Sequence, residues 1–345
     1  MTFKPFIPNA VLPSGKSLIS ESEHQALAAC MLPAKVSYKG IVHNQGGETR
    51  LRISNGGAGQ AGLIEALAGA FIDWSCENLK NIVSRDYTID WITSDTTESI
   101  KYLQTDDADL AITYNKAAET QAVKLGIAIR KEYIFRDHFY LVGPKTENPA
   151  QLDSQNDNLI DMLNKIATSG DSGERRNGIQ TRFLTRFDKS ATNIRESLLF
   201  AQIGQIPWAH NYSRWYHQFP VYPSEALEAA SRLREYTLTD RGTFLTLHSD
   251  HPELTDTLSV FKQGGDDDDD DPLLNAATLL LGARVHEENK DLATEFFNWM
   301  IRDDGGQYII KNFKKKGCDD PLYTVAPQAS DKPYVIGSGV KVTYR

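Results

Sequence analysis

The sequence predicts an α/β chain folded as two lobes, on three observations. Its 345 residues are too many for one ordinary core. From Thr49 onward, short apolar runs alternate with stretches of helical spacing. No internal repeat and no run near the ~20 apolar residues of a membrane span suggests another architecture.

The elements follow in order. Ser20 to Glu23 reads S-x-x-E, a capping box ahead of a helix over Gln25 to Met31, within a lead-in of residues 1–46. Leu51 to Ile53 is a strand, Ser54 to Gln60 a glycine-rich turn. Leu63, Leu67, Phe71 and Trp74 share one face of the next helix. Tyr87 to Ile92 is a strand, followed by the polar turn Ser94 to Thr97 and a helix through Leu103. Ala108 to Thr113 is apolar enough for a strand covered on both faces. This βαβαβ rhythm predicts parallel strands with right-handed crossovers.

Phe139 to Val142 is a further strand, closed by Gly143-Pro144. Helices are expected over Leu159 to Ala167 and Gly173 to Phe187. An aromatic segment runs from Ile203 to Tyr222, and Pro223 opens a helix to Leu233. The six aspartates Asp266 to Asp271 read as a solvated, self-repelling loop. Leu292, Phe296, Trp299 and Met300 mark an amphipathic helix, and residues 329–345 a tail. If the chain crosses twice between lobes, residues 47–132 and 240–328 form lobe 1 and residues 133–239 an inserted lobe 2.

A net charge of -9 argues against a nucleic-acid partner, which needs clustered Lys and Arg. It leaves a small anion open, because backbone N–H groups hold anions inside acidic proteins. Cys30, Cys76 and Cys318 give no disulfide framework and no metal spacing. The N-terminus shows no apolar h-region with a cleavage site, so the chain as it stands reads as cytoplasmic, or as periplasmic or secreted if a leader was removed. There is no H-E-x-x-H, G-x-S-x-G or P-loop. Gly57 to Gly62 fits G-x-G-x-x-G, but no acidic partner follows the next strand. No catalytic residue, cofactor or metal site is therefore assigned.

Tyr236-Thr237-Leu238-Thr239-Asp240-Arg241-Gly242-Thr243 resembles the YTLTDRGT segment of bacterial tungstate-binding proteins, the receptors of an ABC importer. Arg130-Lys131-Glu132, Asp137 and Leu141 to Pro144 are similar to that family's RRE…ND…IVGP crossing. Asp109 to Tyr114 resembles its strand DVLLVH, Gly170 to Gly173 its DDSGT turn, and Phe297 to Gln307 its FIDWLTSPEGQ. The matches run in order from Leu51 to Leu322. The resemblance implies a periplasmic-binding-protein type II fold, two α/β lobes joined by two crossing segments. It also implies an anion held between the lobes by neutral donors.

The site residues follow from it. Ser54, Asn55, Gly56, Gly57 and Ala58 occupy a turn that in the family is rich in Thr and Ser, typically TTTST; most of the hydroxyls are missing here. Thr96 matches the Thr of the family's GTGQ turn, and Tyr114 stands where the family often has His. Asp171, Ser172 and Gly173 are expected to open a helix and donate to the ligand. Arg130, Tyr236, Asp240 and Arg241 lie at the crossing, where Arg130 either bonds the anion or pairs between lobes. The expected function is that of a monomeric solute-binding protein closing on tungstate, molybdate or another small anion, with no transporter identified by the sequence. The second reading is a cytosolic enzyme or sensor on the same scaffold with a larger organic or phosphorylated ligand.

Overall fold

Alternating strands and helices build one continuous sheet whose middle strand serves two separate cores. The structure is a computed structural model that describes residues 32–83, 85–209, 212–268 and 270–327, and the backbone of 334–336 and 340–342. Met1–Pro33 and Ala34–Arg345 are distinct units, and the sheet and both cores belong to the second. The expected helix over Gln25 to Met31 lies outside the described residues. So does the tail, apart from two short paired strands.

The first half begins with β1 (Val36–Tyr38), β2 (Thr49–Asn55), α1 (Gly57–Gln60) and α2 (Leu63–Asn78). It continues with β3 (Thr88–Thr93), α3 (Thr96–Thr105), β4 (Leu110–Thr113), α4 (Lys116–Lys124) and β5 (Ala128–Pro144). β2 pairs in parallel with both β3 and β4, as the βαβαβ reading requires. α2 turns Leu63, Leu67 and Phe71 inward, and Phe71 meets Phe296 edge-on at 4.9 Å between ring centres. α3 starts at a reciprocal capping box in which Asp95 accepts from the Glu98 N–H and Glu98 from the Asp95 N–H.

The second half contains α5 (Leu159–Ser172), β6 (Arg175–Arg176), β7 (Ile179–Gln180), β8 (Phe183–Thr185) and α6 (Ala191–Gln202). β9 (Tyr216–Gln218), α7 (Pro223–Leu233), β10 (Tyr236–Asp240), α8 (Arg241–Asp250), α9 (Pro252–Thr255) and β11 (Leu258–Gln263) come next. The chain returns through β12 (Leu274–Gly282), α10 (Lys290–Met300), α11 (Gly306–Asn312) and β13 (Thr324–Val325), ending with β14 (Tyr334–Ile336) paired to β15 (Val340–Val342).

β5 is the element that joins the halves. Its first part pairs antiparallel with β12, from Ala128↔Gly282 to His138↔Leu274. Its second part pairs antiparallel with β10, from Phe139↔Asp240 to Val142↔Thr237, and with β11. The sheet therefore changes partners at Asp137 to Phe139, and β10 ends beside that point. One core gathers α2 and α10 around Leu67, Phe71, Phe296 and Trp299. The other gathers α5 and α6 around Phe183, Phe200, Trp215 and Tyr216.

One expectation is corrected and one is refined. Gly173 to Phe187 is not a helix. Gly173 closes α5 with φ 69°, and Asn177 (φ 51°) and Gly178 (φ 85°) form the tight turn of the β6–β7 hairpin. Positive φ at both centre positions is what Asn-Gly supplies at little strain. The described aspartates of the run are mostly exposed, as expected, and the loop is anchored through Asp266 and Asp271. The Asp266 carboxylate takes Arg136 at 3.2 Å and His138 Nε2 at 3.0 Å, and accepts from the Thr324 hydroxyl at 3.0 Å. Burial opposes its ionisation, yet His138, Thr324 and Arg136 together hold its carboxyl below the usual range. Asp271 accepts from the N–H groups of Gly265 and Leu273, so the run is tied down at both ends.

Candidate functional site

A cleft of about 300 Å³ opens where β5 changes partners. From the first half, Gly56, Gly57, Ala58, Thr96 and Tyr114 line it. Arg186, Asp188, Ser190, Thr192, Tyr222 and Pro223 line it from the second. Asp137, Asp240 and Asn275 form the floor between them. The volume equals that of about ten waters at about 30 Å³ each, more than one tetrahedral anion fills.

The N-termini of three long helices reach this cleft: α3 at Thr96, α6 at Ala191 and α7 at Pro223. The first N–H groups of a helix have no intrahelical partner, and the helix dipole makes that end positive. α7 has no side-chain cap at all. α6 is held more elaborately. The Ser190 hydroxyl caps it by accepting from the Asn193 N–H at 3.2 Å and itself donates to Asp188 at 2.5 Å. Asp188 in turn pairs with Arg186 at 2.5 Å, and Arg186 donates from Nε to the Val221 carbonyl at 3.2 Å.

Beneath α6 lies Glu196, which is 2% exposed. It accepts from the Thr185 and Tyr216 hydroxyls and from the Asn193 amide. Burial pushes its carboxyl up to about 8 against the pull of those donors. It is therefore largely a neutral acid at pH 7, and its network locks the β8-to-α6 connection.

The side built by β2 and α1 is different. Asn55 is fully buried. Its Oδ1 accepts from the Gly59 N–H at 2.8 Å, and its amide donates to the Ile112 carbonyl at 2.9 Å and to Tyr114 at 3.4 Å. The Tyr114 hydroxyl also takes up the Ala58 N–H. Ser54 donates to the Leu110 carbonyl from inside the core. Most donors of this turn are thus committed within the protein.

The floor carries two carboxylates. Asp240 accepts from the N–H and hydroxyl of Thr243, at 2.7 and 2.8 Å, and so caps α8. Burial, and then the charge of Asp240, raise Asp137 well above the usual carboxylate range and favour its neutral form. The carboxylates on the cleft wall are thus engaged as helix caps, as an ion-pair partner or, for Asp137, held toward the neutral form.

Of the residues expected at the site, Gly56, Gly57, Ala58, Thr96, Tyr114 and Asp240 meet at the cleft. Ser54 and Asn55 support it from behind. Arg130 does not reach it: its guanidinium sits 4.2 Å above the Phe297 ring and donates to Asn298 at 2.8 Å. The Tyr236 hydroxyl donates to Asn148 at 2.8 Å inside the second core, and Arg241 also stands off the lining. Asp171, Ser172 and Gly173 lie off the lining too, and they end a helix rather than open one. Asp171 accepts from the Trp215 indole at 2.7 Å, and Ser172 donates back to the Ser169 carbonyl.

The residues that sequence reasoning missed are Arg186, Asp188, Ser190, Ala191 and Thr192. The signal was present, since Asp188-Lys189-Ser190-Ala191-Thr192 fits the DDSGT pattern and stands directly before the helical stretch of α6. The Gly170-Asp171-Ser172-Gly173 string drew the match instead, because its letters agree better although its backbone is a helix C-terminus.

Comparison with known proteins adds to this geometry. A PBP superfamily domain matches residues 79–304. A crystal structure of a periplasmic protein, provisionally described as metal binding, is 43% identical, with a TM-score of 0.74 over 85% of this chain and 100% of that one. A Haloferax volcanii protein provisionally named as an ABC transporter anion-binding protein is 25% identical over 228 residues, 66% of this chain and 60% of that protein. The tungstate-binding protein TupA of Peptoclostridium acidaminophilum is 27% identical over 145 residues, 42% of this chain and 46% of that protein. The matched stretches thus span less than two thirds of these two relatives. Among the described residues, no helix is long and apolar enough to cross a membrane.

Proposed function

Because the chain belongs to the PBP superfamily, we propose that it is a solute-binding protein whose two halves close over an oxyanion of the tungstate or molybdate type. The observation that carries this reading is the convergence of the α3, α6 and α7 N-termini, from both halves, on one cleft. Several N–H groups and hydroxyls at one cleft suit a tetrahedral anion. The extra space fits an open form, with β5 and β10 as the two strands about which the halves close.

Tungstate and molybdate are themselves metal oxyanions. One chemistry thus accommodates both the metal binding ascribed to the 43%-identical relative and the anion binding ascribed to the others. A bare cation suits the cleft poorly, since its carboxylates are already engaged. In this reading the protein acts as a monomer, in the compartment of its periplasmic relative, and hands its ligand to an ABC importer.

Calorimetric titration of purified protein with tungstate, molybdate, sulfate and phosphate tests the proposal. Binding of tungstate or molybdate with one site per chain, and a matching rise in Tm, is expected. No heat and no Tm shift at millimolar oxyanion would overturn the ligand assignment and leave the fold untouched.

A further inference from the structure

We propose a second binding site, remote from the cleft residues, in which His43, Cys76 and Asp86 hold a divalent zinc-type cation. A His nitrogen, the Cys sulfur and an Asp oxygen lie within 4.8 Å of one another. Tetrahedral zinc with N, S and O ligands at about 2.0–2.3 Å sets those ligands about 3.3–3.8 Å apart, so small side-chain rotations bring them onto one ion. The mixed donor set suits a borderline-soft cation and not Mg²⁺ or Ca²⁺, which take oxygen alone.

The three groups come from separate segments, and the fold fixes each. Cys76 sits on α2, one turn after Asp73. Asp73 accepts from the N–H groups of Ile41, Val42 and His43 at 2.9–3.0 Å, which pins the loop carrying His43 to the same face of α2. Two glycines permit the approach. A Cβ at Gly40 would lie 2.3 Å from Asp73 Oδ1, and one at Gly47 would lie 2.3 Å from the Asp86 carbonyl. His43 Nδ1 is 3.1 Å from Asp86 Oδ1, and the Gln45 N–H points to the other Asp86 oxygen at 3.4 Å.

Charge and access agree with this. Asp86, Asp73 and Glu77 surround Cys76 with negative charge that attracts a cation. Burial and that charge raise the thiol, so the metal has to displace its proton and binding strengthens as pH rises. An open groove along residues 42–48, Arg85 and Asp86 gives access, and leaves the fourth coordination position to water or a partner group. The ion would staple the 40–47 loop to α2 and to the start of β3.

The test uses untagged full-length protein stripped with chelator and titrated with Zn²⁺ and Co²⁺. One zinc per chain is expected, with a near-ultraviolet thiolate-to-cobalt band and intensified visible cobalt bands. Cys76→Ser should abolish the thiolate band. His43→Ala and Asp86→Asn should weaken zinc at least about tenfold, while each metal-free variant keeps its Tm and its oxyanion response. Cys30→Ser, at the other N-proximal cysteine, should keep the band. Absence of stoichiometric zinc, a band that survives Cys76→Ser, or a band lost in Cys30→Ser would overturn the proposal. Oxyanion binding is read separately, so neither reading depends on the other.

Discussion

The two walls of the cleft solve the same problem in opposite ways. On the β2–α1 wall the turn is sealed. Asn55 takes up the Gly59 N–H and Tyr114 the Ala58 N–H, and glycine and alanine face the ligand space. On the α6 wall the turn is furnished. Arg186, Ser190 and Thr192 face the cleft, and a buried acid beneath them holds the connection in place. The comparison teaches that two walls of one cleft can differ in what they present, small residues on one side and Arg, Ser and Thr side chains on the other. One wall supplies shape and the other supplies recognition.

The largest test of this contrast is the pH dependence of the α6 wall. The folded Glu196 carboxyl lies at about 8, above its unfolded value of 4.5, so the folded state binds its proton more tightly. Its contribution is fully present below the unfolded value and is lost as pH rises through the folded one. Wild-type stability should therefore fall by up to roughly 1.4 kcal/mol per pH unit between those limits. Glu196→Gln should flatten that slope in denaturant titrations run across the window. An unchanged slope would show that the acid beneath α6 is not what holds this wall.

Next in size is Asn55→Ala on the sealed wall. It strands the buried Gly59 N–H and the Ile112 carbonyl, and should destabilise the protein by about 3 kcal/mol in thermal or urea unfolding. Arg186→Ala probes recognition instead. It should weaken oxyanion binding by about 2 kcal/mol, close to thirtyfold, as measured by calorimetry. Equal loss of affinity in an Ala58→Ser variant would break the contrast. Tyr114→Phe is the smallest. It releases the Ala58 N–H, should lower stability by about 1 kcal/mol, and should alter affinity far less than Arg186→Ala does.

Much of the fold was legible from the residues alone. The parallel β2, β3 and β4 follow from apolar runs spaced by helical periods, and the octet at Tyr236 to Thr243 marks a crossing strand that ends in a helix cap. The candidate site was legible on one side only. Gly56 to Ala58, Thr96, Tyr114 and Asp240 lie at ends of strands or starts of helices, where local pattern names the position. The opposite wall was displaced by some twenty residues along the chain. Asp-Ser-Gly at Asp171 to Gly173 and Asp-x-Ser-x-Thr at Asp188 to Thr192 both read as helix starts, although only the second is one.

By itself, then, the sequence determined the first strands and helices from Leu51 to Thr113, the helix opened by Pro223, the C-terminal amphipathic helix and which family the chain resembles, because those features depend on neighbours within a few residues. Only the tertiary structure decided which capped termini share a cleft, and that Arg130 stacks on Phe297 instead of reaching an anion. It also brought His43, Cys76 and Asp86 together from three separate segments. The shared cleft depends on how β5 divides its hydrogen bonds between β12 and β10, a pairing between residues about a hundred or more positions apart. The His43 cluster depends on Asp73 holding the preceding loop against α2, and no local pattern encodes either.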